Sequence, residues 1–205
     1  MLIGTHQSMS YLEPISKWDR LFHFFSQAQE VDIETQYKQF GVRVFDIRLY
    51  VDKNMRICFK HGSILLKTFS VYDILGFLNK MGDCYAKITL ELDDEDFANP
   101  LIIEKYRRFE EYCRVIEEIY PYITFFGGVT NLTGQILYRF AKNKHNLTHV
   151  SSMYRSHSSI KESFVNSLSH FFPRWFIKTR NKYLLDKILS DNSSQNYILM
   201  DFINR

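Results

Sequence analysis

The sequence predicts an α/β fold, a compact TIM-like (β/α) barrel, on three observations. The 205 residues correspond to one domain spanning 1–205, at roughly 150 residues per domain. Apolar residues make up 45% of the chain and charged residues 24%, which is enough apolar material for a large core. Strand-like runs alternate with helix-like ones, an order typical of parallel sheets covered by helices. Because the chain is short for eight strand–helix units, an incomplete or distorted barrel is also expected.

The individual elements follow from hydrophobic periodicity. Strands are expected at 2–6, 42–51, 55–60, 86–92, 122–127, 147–153 and 196–202, and helices at 31–40, 71–81, 100–120 and within 175–189. The clearest helix is 100–120, where apolar residues recur at spacings of three and four: Ile102, Tyr106, Phe109, Cys113, Ile116 and Tyr120. Pro100 and Pro121 mark its two ends.

Polar residues recur on one face of several predicted strands. Residues two apart share a face, so Asp46 and Arg48 point away from the apolar face of the 42–51 strand, which carries Phe45, Ile47, Leu49 and Val51. The same alternation groups Lys87 with Thr89 and Glu91, and Tyr197 with Leu199 and Asp201. Charges turned into a barrel are costly unless they are paired or contact a ligand. These residues therefore indicate an active site at the carboxyl ends of the strands.

Charge and composition exclude several classes of protein. The balance of 26 Lys and Arg against 23 Asp and Glu argues against a dedicated nucleic-acid binder. The three cysteines, Cys58, Cys84 and Cys113, lack paired spacing and are predicted to be reduced core residues. The first residues do not have the pattern of a signal peptide, and no window is apolar enough to span a bilayer. A cytoplasmic protein, or one peripheral at a membrane, is expected.

Four segments carry the chemistry. They are Gly4-Thr5-His6-Gln7-Ser8, the run Gln36 to Tyr50 that contains Gly41 to Arg48, Lys60-His61-Gly62 and Met200-Asp201-Phe202. In this order they resemble the catalytic domain of the phosphatidylinositol-specific phospholipases C, in particular its bacterial, metal-independent branch. The two histidines have the residue type suited to a general base and a general acid near neutral pH.

The resemblance implies a reaction and a role for each residue. His6 would deprotonate the inositol 2-hydroxyl, which attacks the phosphorus, and His61 would protonate the departing oxygen, giving diacylglycerol and a cyclic inositol phosphate. Arg48, with Asp46 beside it, would stabilise the charge on the phosphate oxygens. Asp201 would orient the base histidine. The alternative for Arg48 and Asp46 is a structural ion pair inside the barrel.

The resemblance also bears on metal use, because Arg48 stands where calcium-dependent relatives have a carboxylate ligand. A guanidinium there would replace the metal, so no cofactor is expected. The alternative is a partial calcium site formed by Asp46 and Glu91 with Gln7, against which the charge of Arg48 argues.

The expected substrate-binding residues are less sharply defined by the sequence. Lys87, Glu91, Tyr154 and Arg155 are candidates for contacting sugar hydroxyls or charged head-group atoms, and Gln7 adjoins the base. Gln7 departs from the resembled pattern, which has Asp here in the bacterial branch and Asn in the calcium branch. In the bacterial branch that Asp supports the acid histidine and the arginine, so the departure weakens this arm of the site.

Aromatic residues interleaved with cations predict peripheral membrane contact. Trp18 lies near Lys17 and Arg20, and Trp175 lies within Phe171 to Arg180. These two tryptophans are predicted to form a rim around the pocket mouth that touches anionic lipid. The alternative is that their rings pack helices on the barrel.

The sequence therefore predicts an enzyme that cleaves the phosphodiester of phosphatidylinositol or a related glycophospholipid. The alternatives are a phosphodiesterase acting on another or a soluble head group, and a catalytically silent lipid-binding scaffold of the same fold. The intact set of His6, Arg48, His61 and Asp201 argues against the scaffold.

Overall fold

The structure is a computed structural model that describes residues 2–20, 23, 27–61, 64–67, 70–92, 100–130, 136–138, 148–150 and 196–200. In chain order the elements are β1 (Leu2–Thr5), α1 (Ile33–Phe40), β2 (Val44–Val51), β3 (Ile57–His61), β4 (Ile64–Leu65), α2 (Val71–Met81), β5 (Cys84–Leu90), α3 (Ile102–Ile119), β6 (Ile123–Thr130), β7 (Ile136–Tyr138), β8 (Thr148–Val150) and β9 (Asn196–Met200). All seven predicted strands contain or overlap an observed one. The helix expected within 175–189 lies outside the described residues.

The strands form one mixed sheet with a parallel centre. Its order is β7-β6-β5-β2-β1-β9-β8, with β3 and β4 joined at the side of β2. The pairs from β6 through β5, β2, β1 and β9 to β8 are parallel, whereas β2–β3, β3–β4 and β6–β7 are antiparallel. An antiparallel β3 is required because only Asp52 to Arg56 separate it from β2, too few residues for a crossover.

The helix ends follow local capping chemistry. Asp32 caps α1 by accepting a hydrogen bond from the Thr35 N–H at 2.7 Å, and Gly41 ends the helix with a left-handed φ of 67°. Gly82 ends α2 in the same way with a φ of 81°. The predicted 71–81 helix is confirmed at both ends, and the predicted 100–120 helix is two residues longer at its start and one at its end than α3.

The sheet is buried on both faces. On the outer face the predicted apolar set of β2 packs in the main core with α2 and α3, together with Cys84 and Cys113, whereas Cys58 is buried outside that cluster. On the inner face a second cluster joins Val44, Phe126, Tyr197 and Leu199. The prediction of two opposed faces on β2 is confirmed, as is the prediction that the cysteines are buried thiols.

The sheet curves strongly around this inner cluster. Phe126 lies on β6 and Tyr197 on β9, which stand four strand spacings apart in the sheet. A flat sheet would separate them by roughly 19 Å at about 4.8 Å per strand. Their ring centroids nevertheless lie 5.3 Å apart in an edge-to-face contact. The curvature gathers the carboxyl ends of the central strands around one place.

Within the part of the chain that the structure describes, no helix is long and apolar enough to cross a bilayer.

Candidate active site

A cluster of charged side chains lies at the carboxyl ends of β1, β2 and β5. His6 directly follows β1, and Asp46 and Arg48 lie on β2. The parallel register of β2 and β5 places Lys87 beside Asp46, and Glu91 follows the last residue of β5 on the same face. The cluster is layered, since the Asp46 side chain is 0% exposed whereas those of His6, Arg48 and Glu91 are 29%, 23% and 15% exposed.

Asp46 forms the floor of the site. Its Oδ2 accepts hydrogen bonds from Arg48 Nε at 3.2 Å, from Arg48 Nη2 at 3.1 Å and from the Gln7 backbone N–H at 3.2 Å. Its Oδ1 lies 3.7 Å from the ammonium of Lys87. Burial on its own would raise the pKa of Asp46, but the charges of Arg48, Lys87 and His6 and the Gln7 N–H outweigh it and lower that pKa to about 2. Asp46 is therefore a fixed negative charge that holds Arg48.

Arg48 contacts both of the other partly exposed residues of the site, His6 and Glu91. Its Nη1 donates to Glu91 Oε1 at 2.6 Å, and its Nη2 lies 3.1 Å from Nε2 of His6. A guanidinium can only donate, so His6 Nε2 is the acceptor in this contact when the imidazole is neutral. Burial would lower the pKa of Arg48, but the two carboxylates raise it, so the guanidinium stays charged. The positive charge thus lies directly beside the basic nitrogen of His6.

The loop that carries His6 is fastened to Asp46 and to β9. The backbone N–H of Ser8 donates to the Asp46 carbonyl at 2.8 Å, next to the Gln7 contact, and the His6 N–H donates to the Met200 carbonyl at 3.0 Å. Gln7 takes a left-handed φ of 46°, which lets two successive N–H groups point at Asp46. Gln7 was expected to bind substrate, and its observed contact is this backbone bond, so substrate binding by its side chain stays a prediction.

Buried glutamines support this loop from below, a feature that the sequence analysis missed. The Gln29 side-chain amide donates to the carbonyls of Met200 at 2.7 Å and of His6 at 3.2 Å. Gln36 accepts from the Thr5 hydroxyl at 2.7 Å and donates to the Ser8 carbonyl at 3.0 Å. Both glutamines are fully buried. In the sequence these residues are two glutamines that no apolar pattern marks as buried. Nothing else in the sequence indicates this network.

His61 ends β3 and is buried. Because β3 runs antiparallel to β2, it returns the chain toward the end of β1. The register pairs Tyr50 with Cys58, so Lys60 shares the face of Arg48, and its ammonium lies 4.2 Å from the Tyr50 ring centroid. Strand alternation assigns His61 to the other face, with Phe59. This pattern does not place His61 on the face of Arg48 and so gives no support to its acid role, which stays a prediction.

The remaining predicted residues divide into two groups. Trp18 is 80% exposed and follows the exposed Ile15 by three residues, and its place in a rim around the pocket stays a prediction. Asp201, Tyr154, Arg155 and Trp175 lie outside the described residues.

The residues of the cluster do not fit the alternative calcium site. Asp46 and Glu91 each bind Arg48 directly, so a guanidinium stands between the two carboxylates where the cation would have to bind. Among the described residues, no group of three or more His, Cys, Asp or Glu side chains is arranged to hold a metal ion.

Comparison with solved structures identifies what this arrangement is similar to. The phosphatidylinositol-specific phospholipase C from Listeria monocytogenes matches with a TM-score of 0.61 at 17% identity, over 98% of this chain and 87% of that one. A phosphatidylinositol-specific phospholipase C structure from Staphylococcus aureus matches with a TM-score of 0.59 at 14% identity, over 98% and 85% of the two chains. Comparisons of the sequence with family models and with curated proteins give no match.

The resemblance drawn from four short motifs is thus confirmed in the structure, over nearly the whole chain. At this level of identity the likeness establishes a shared fold.

Proposed function

We propose that this protein cleaves the phosphodiester of phosphatidylinositol or a related glycophospholipid by attack of a neighbouring hydroxyl. The observation that carries the proposal is the 3.1 Å contact between Arg48 Nη2 and His6 Nε2 at the carboxyl ends of parallel strands. It places a fixed cation beside a basic nitrogen, as an internal attack on a phosphorus centre requires. The likeness to two phospholipase C structures supports the same class of reaction.

The reaction begins at His6. Its Nε2 takes the proton of the inositol 2-hydroxyl while the hydroxyl oxygen forms a bond to phosphorus. Arg48 leaves Nε2 and turns its freed N–H groups to the non-bridging phosphate oxygens, whose charge grows in the transition state. Asp46, fully buried and bound to Arg48, keeps the guanidinium aimed at this position.

The second half of the reaction breaks the bond from phosphorus to the diacylglycerol oxygen. His61 donates the proton that this oxygen needs, and Asp201 stabilises the His6 imidazolium until the proton is released. The products are diacylglycerol and a cyclic inositol phosphate. Lys87 and Glu91, with Tyr154 and Arg155, bind the head group. No metal takes part, because Arg48 supplies the positive charge.

The fold that completes this site is a closed or nearly closed barrel formed by residues 1–205 as a single domain. The contact between Phe126 and Tyr197 across four strand spacings supports it, because only a sheet that curls back on itself brings those rings together. The coverage of 98% of this chain by the Listeria monocytogenes match also favours one domain.

The protein reaches its lipid at the membrane surface. The indole of Trp18 is 80% exposed and Ile15 is 55% exposed, and the exposed cations Arg20 and Lys67 both form ion pairs with Glu13. Exposed rings combined with cations favour an anionic interface. Trp175 belongs to the same rim.

The test is a head-group release assay on vesicles of phosphatidylinositol and of other phospholipids, with His6→Ala and His61→Ala as variants. We expect release from phosphatidylinositol and a loss of at least ~10² in turnover in each variant. Release from a different head group would favour the alternative phosphodiesterase. Binding to vesicles without release from any lipid would favour the silent scaffold, which the departure at Gln7 mildly supports.

A further inference from the structure

The donors of Arg48 are nearly all occupied before any substrate arrives. Nε and one N–H of Nη2 bind Asp46, the other side of Nη2 meets His6, and Nη1 binds Glu91 at 2.6 Å. A guanidinium has five N–H groups, so at most one is left for a ligand. A phosphate can therefore bind a pair of Arg48 donors only by taking over at least one bond that another group holds.

Of the two carboxylates bound to Arg48, Glu91 is the more exchangeable. Asp46 is fully buried and is fastened also by the Gln7 N–H and Lys87, so it cannot move aside. Glu91 lies beyond the last residue of β5, and its side chain is 15% exposed. A carboxylate and a phosphate both accept from a guanidinium through paired oxygens. The Glu91 carboxylate therefore binds Arg48 in the way that a phosphate group would.

Charge balance makes the same point. Asp46 and Glu91 carry two negative charges and Arg48 and Lys87 two positive charges, so the site is neutral when His6 is neutral. A phosphodiester monoanion adds a negative charge. If Glu91 moves away from Arg48, the phosphodiester replaces its negative charge beside the guanidinium. If Glu91 stays, its carboxylate and the phosphodiester repel each other.

We propose that Glu91 binds Arg48 in the absence of substrate and competes with the phosphodiester group of the substrate for that guanidinium. This inference rests on the proposed function and names a residue that sets affinity for the substrate. It adds to the head-group contact proposed for Glu91 a second role before substrate binds, that of a positioning residue that acts through Arg48.

The test is binding of inorganic phosphate and of dimethyl phosphate by calorimetry, with wild type compared to Glu91→Gln. We expect Glu91→Gln to bind dimethyl phosphate at least about fivefold more tightly, since one competing charge is gone. Equal or weaker binding would overturn the proposal. A gain confined to inorganic phosphate would overturn the assignment to a diester.

The chain offers a matched control at the other end of the same two strands. Arg43 precedes β2 and its Nε donates to Asp83 Oδ2 at 2.7 Å, just before β5. Asp83→Asn also removes one carboxylate from an arginine, and it should leave the affinity for both anions unchanged. In the double variant Arg48→Met with Glu91→Gln the gain should vanish, and a gain that survives would contradict competition at Arg48.

Head-group release by the same preparations separates this inference from the proposed function. A gain in anion binding without any release from phosphatidylinositol would sink the function and support the competition. Release from phosphatidylinositol without a gain in anion binding would do the reverse.

Discussion

Removal of the buried charge of Asp46 should change how the stability of the protein depends on pH. Burial alone would raise the pKa of this carboxyl, but Arg48, Lys87, His6 and the Gln7 N–H lower it from 3.8 to about 2. A carboxyl whose pKa is lower in the folded state stabilises that state above its unfolded pKa. The contribution is therefore complete above about pH 4 and is lost as pH falls through about 2.

The size of the effect follows from the shift. A difference of nearly two pKa units, at about 1.4 kcal/mol per unit, gives roughly 2 kcal/mol of folding free energy. The assay is urea unfolding of wild type and Asp46→Asn at several pH values from 5 to 2. The stability advantage of wild type over the variant should shrink by roughly 2 kcal/mol over this range, because the asparagine cannot titrate.

A control separates this contribution from general acid sensitivity. Asp83→Asn removes the carboxylate of the more exposed ion pair between Arg43 and Asp83, where solvent screens the charges. The difference in unfolding free energy between this variant and wild type should change much less with pH. A difference between wild type and Asp46→Asn that stays constant from pH 5 to 2 would refute the account of Asp46 as a charge held by its neighbours.

Three further substitutions test the support of the site. Gly4→Ala should cost about 2 kcal/mol or more in urea unfolding, because its new Cβ would lie 2.8 Å from Val44 Cβ and from the Val44 carbonyl oxygen; wild-type stability would contradict this close packing. Gln29→Leu should cost about 1–3 kcal/mol by removing one donor each from the buried Met200 carbonyl and the half-buried His6 carbonyl, and an unchanged unfolding midpoint would mean that those bonds do not matter. Trp18→Ala should weaken sedimentation with anionic vesicles and leave thermal stability unchanged; the opposite pattern would mean that the ring serves packing.

Local patterns predicted the strands and their faces well. The alternation from Phe45 to Val51 is dictated by burial on one face, so a single strand of sequence is enough to assign Asp46 and Arg48 to the other. The bounds of α2 were predictable because Gly82 ends the helix through its own backbone conformation. The short strands β4 and β7 were missed, since two or three residues carry no periodicity.

Contacts between distant segments were beyond the sequence. That Gln29 bridges the carbonyls of His6 and Met200 depends on how β1 and β9 pair, which no local pattern encodes. The face of His61 likewise depends on the register of β3 against β2. The sequence predicted that Arg48 and Glu91 belong to the same site. Only the geometry shows that the Glu91 carboxylate already accepts a hydrogen bond from Arg48.

The central claim is that Arg48 does the electrostatic work of a metal in phosphodiester cleavage. Head-group release from phosphatidylinositol vesicles in the presence of a chelator tests it most directly, with wild type and Arg48→Lys side by side. We predict that wild type keeps its activity in chelator and that Arg48→Lys loses at least ~10² in turnover, because an ammonium cannot reproduce the paired donors. Loss of wild-type activity in chelator with rescue by calcium, or near wild-type turnover in Arg48→Lys, would contradict the claim.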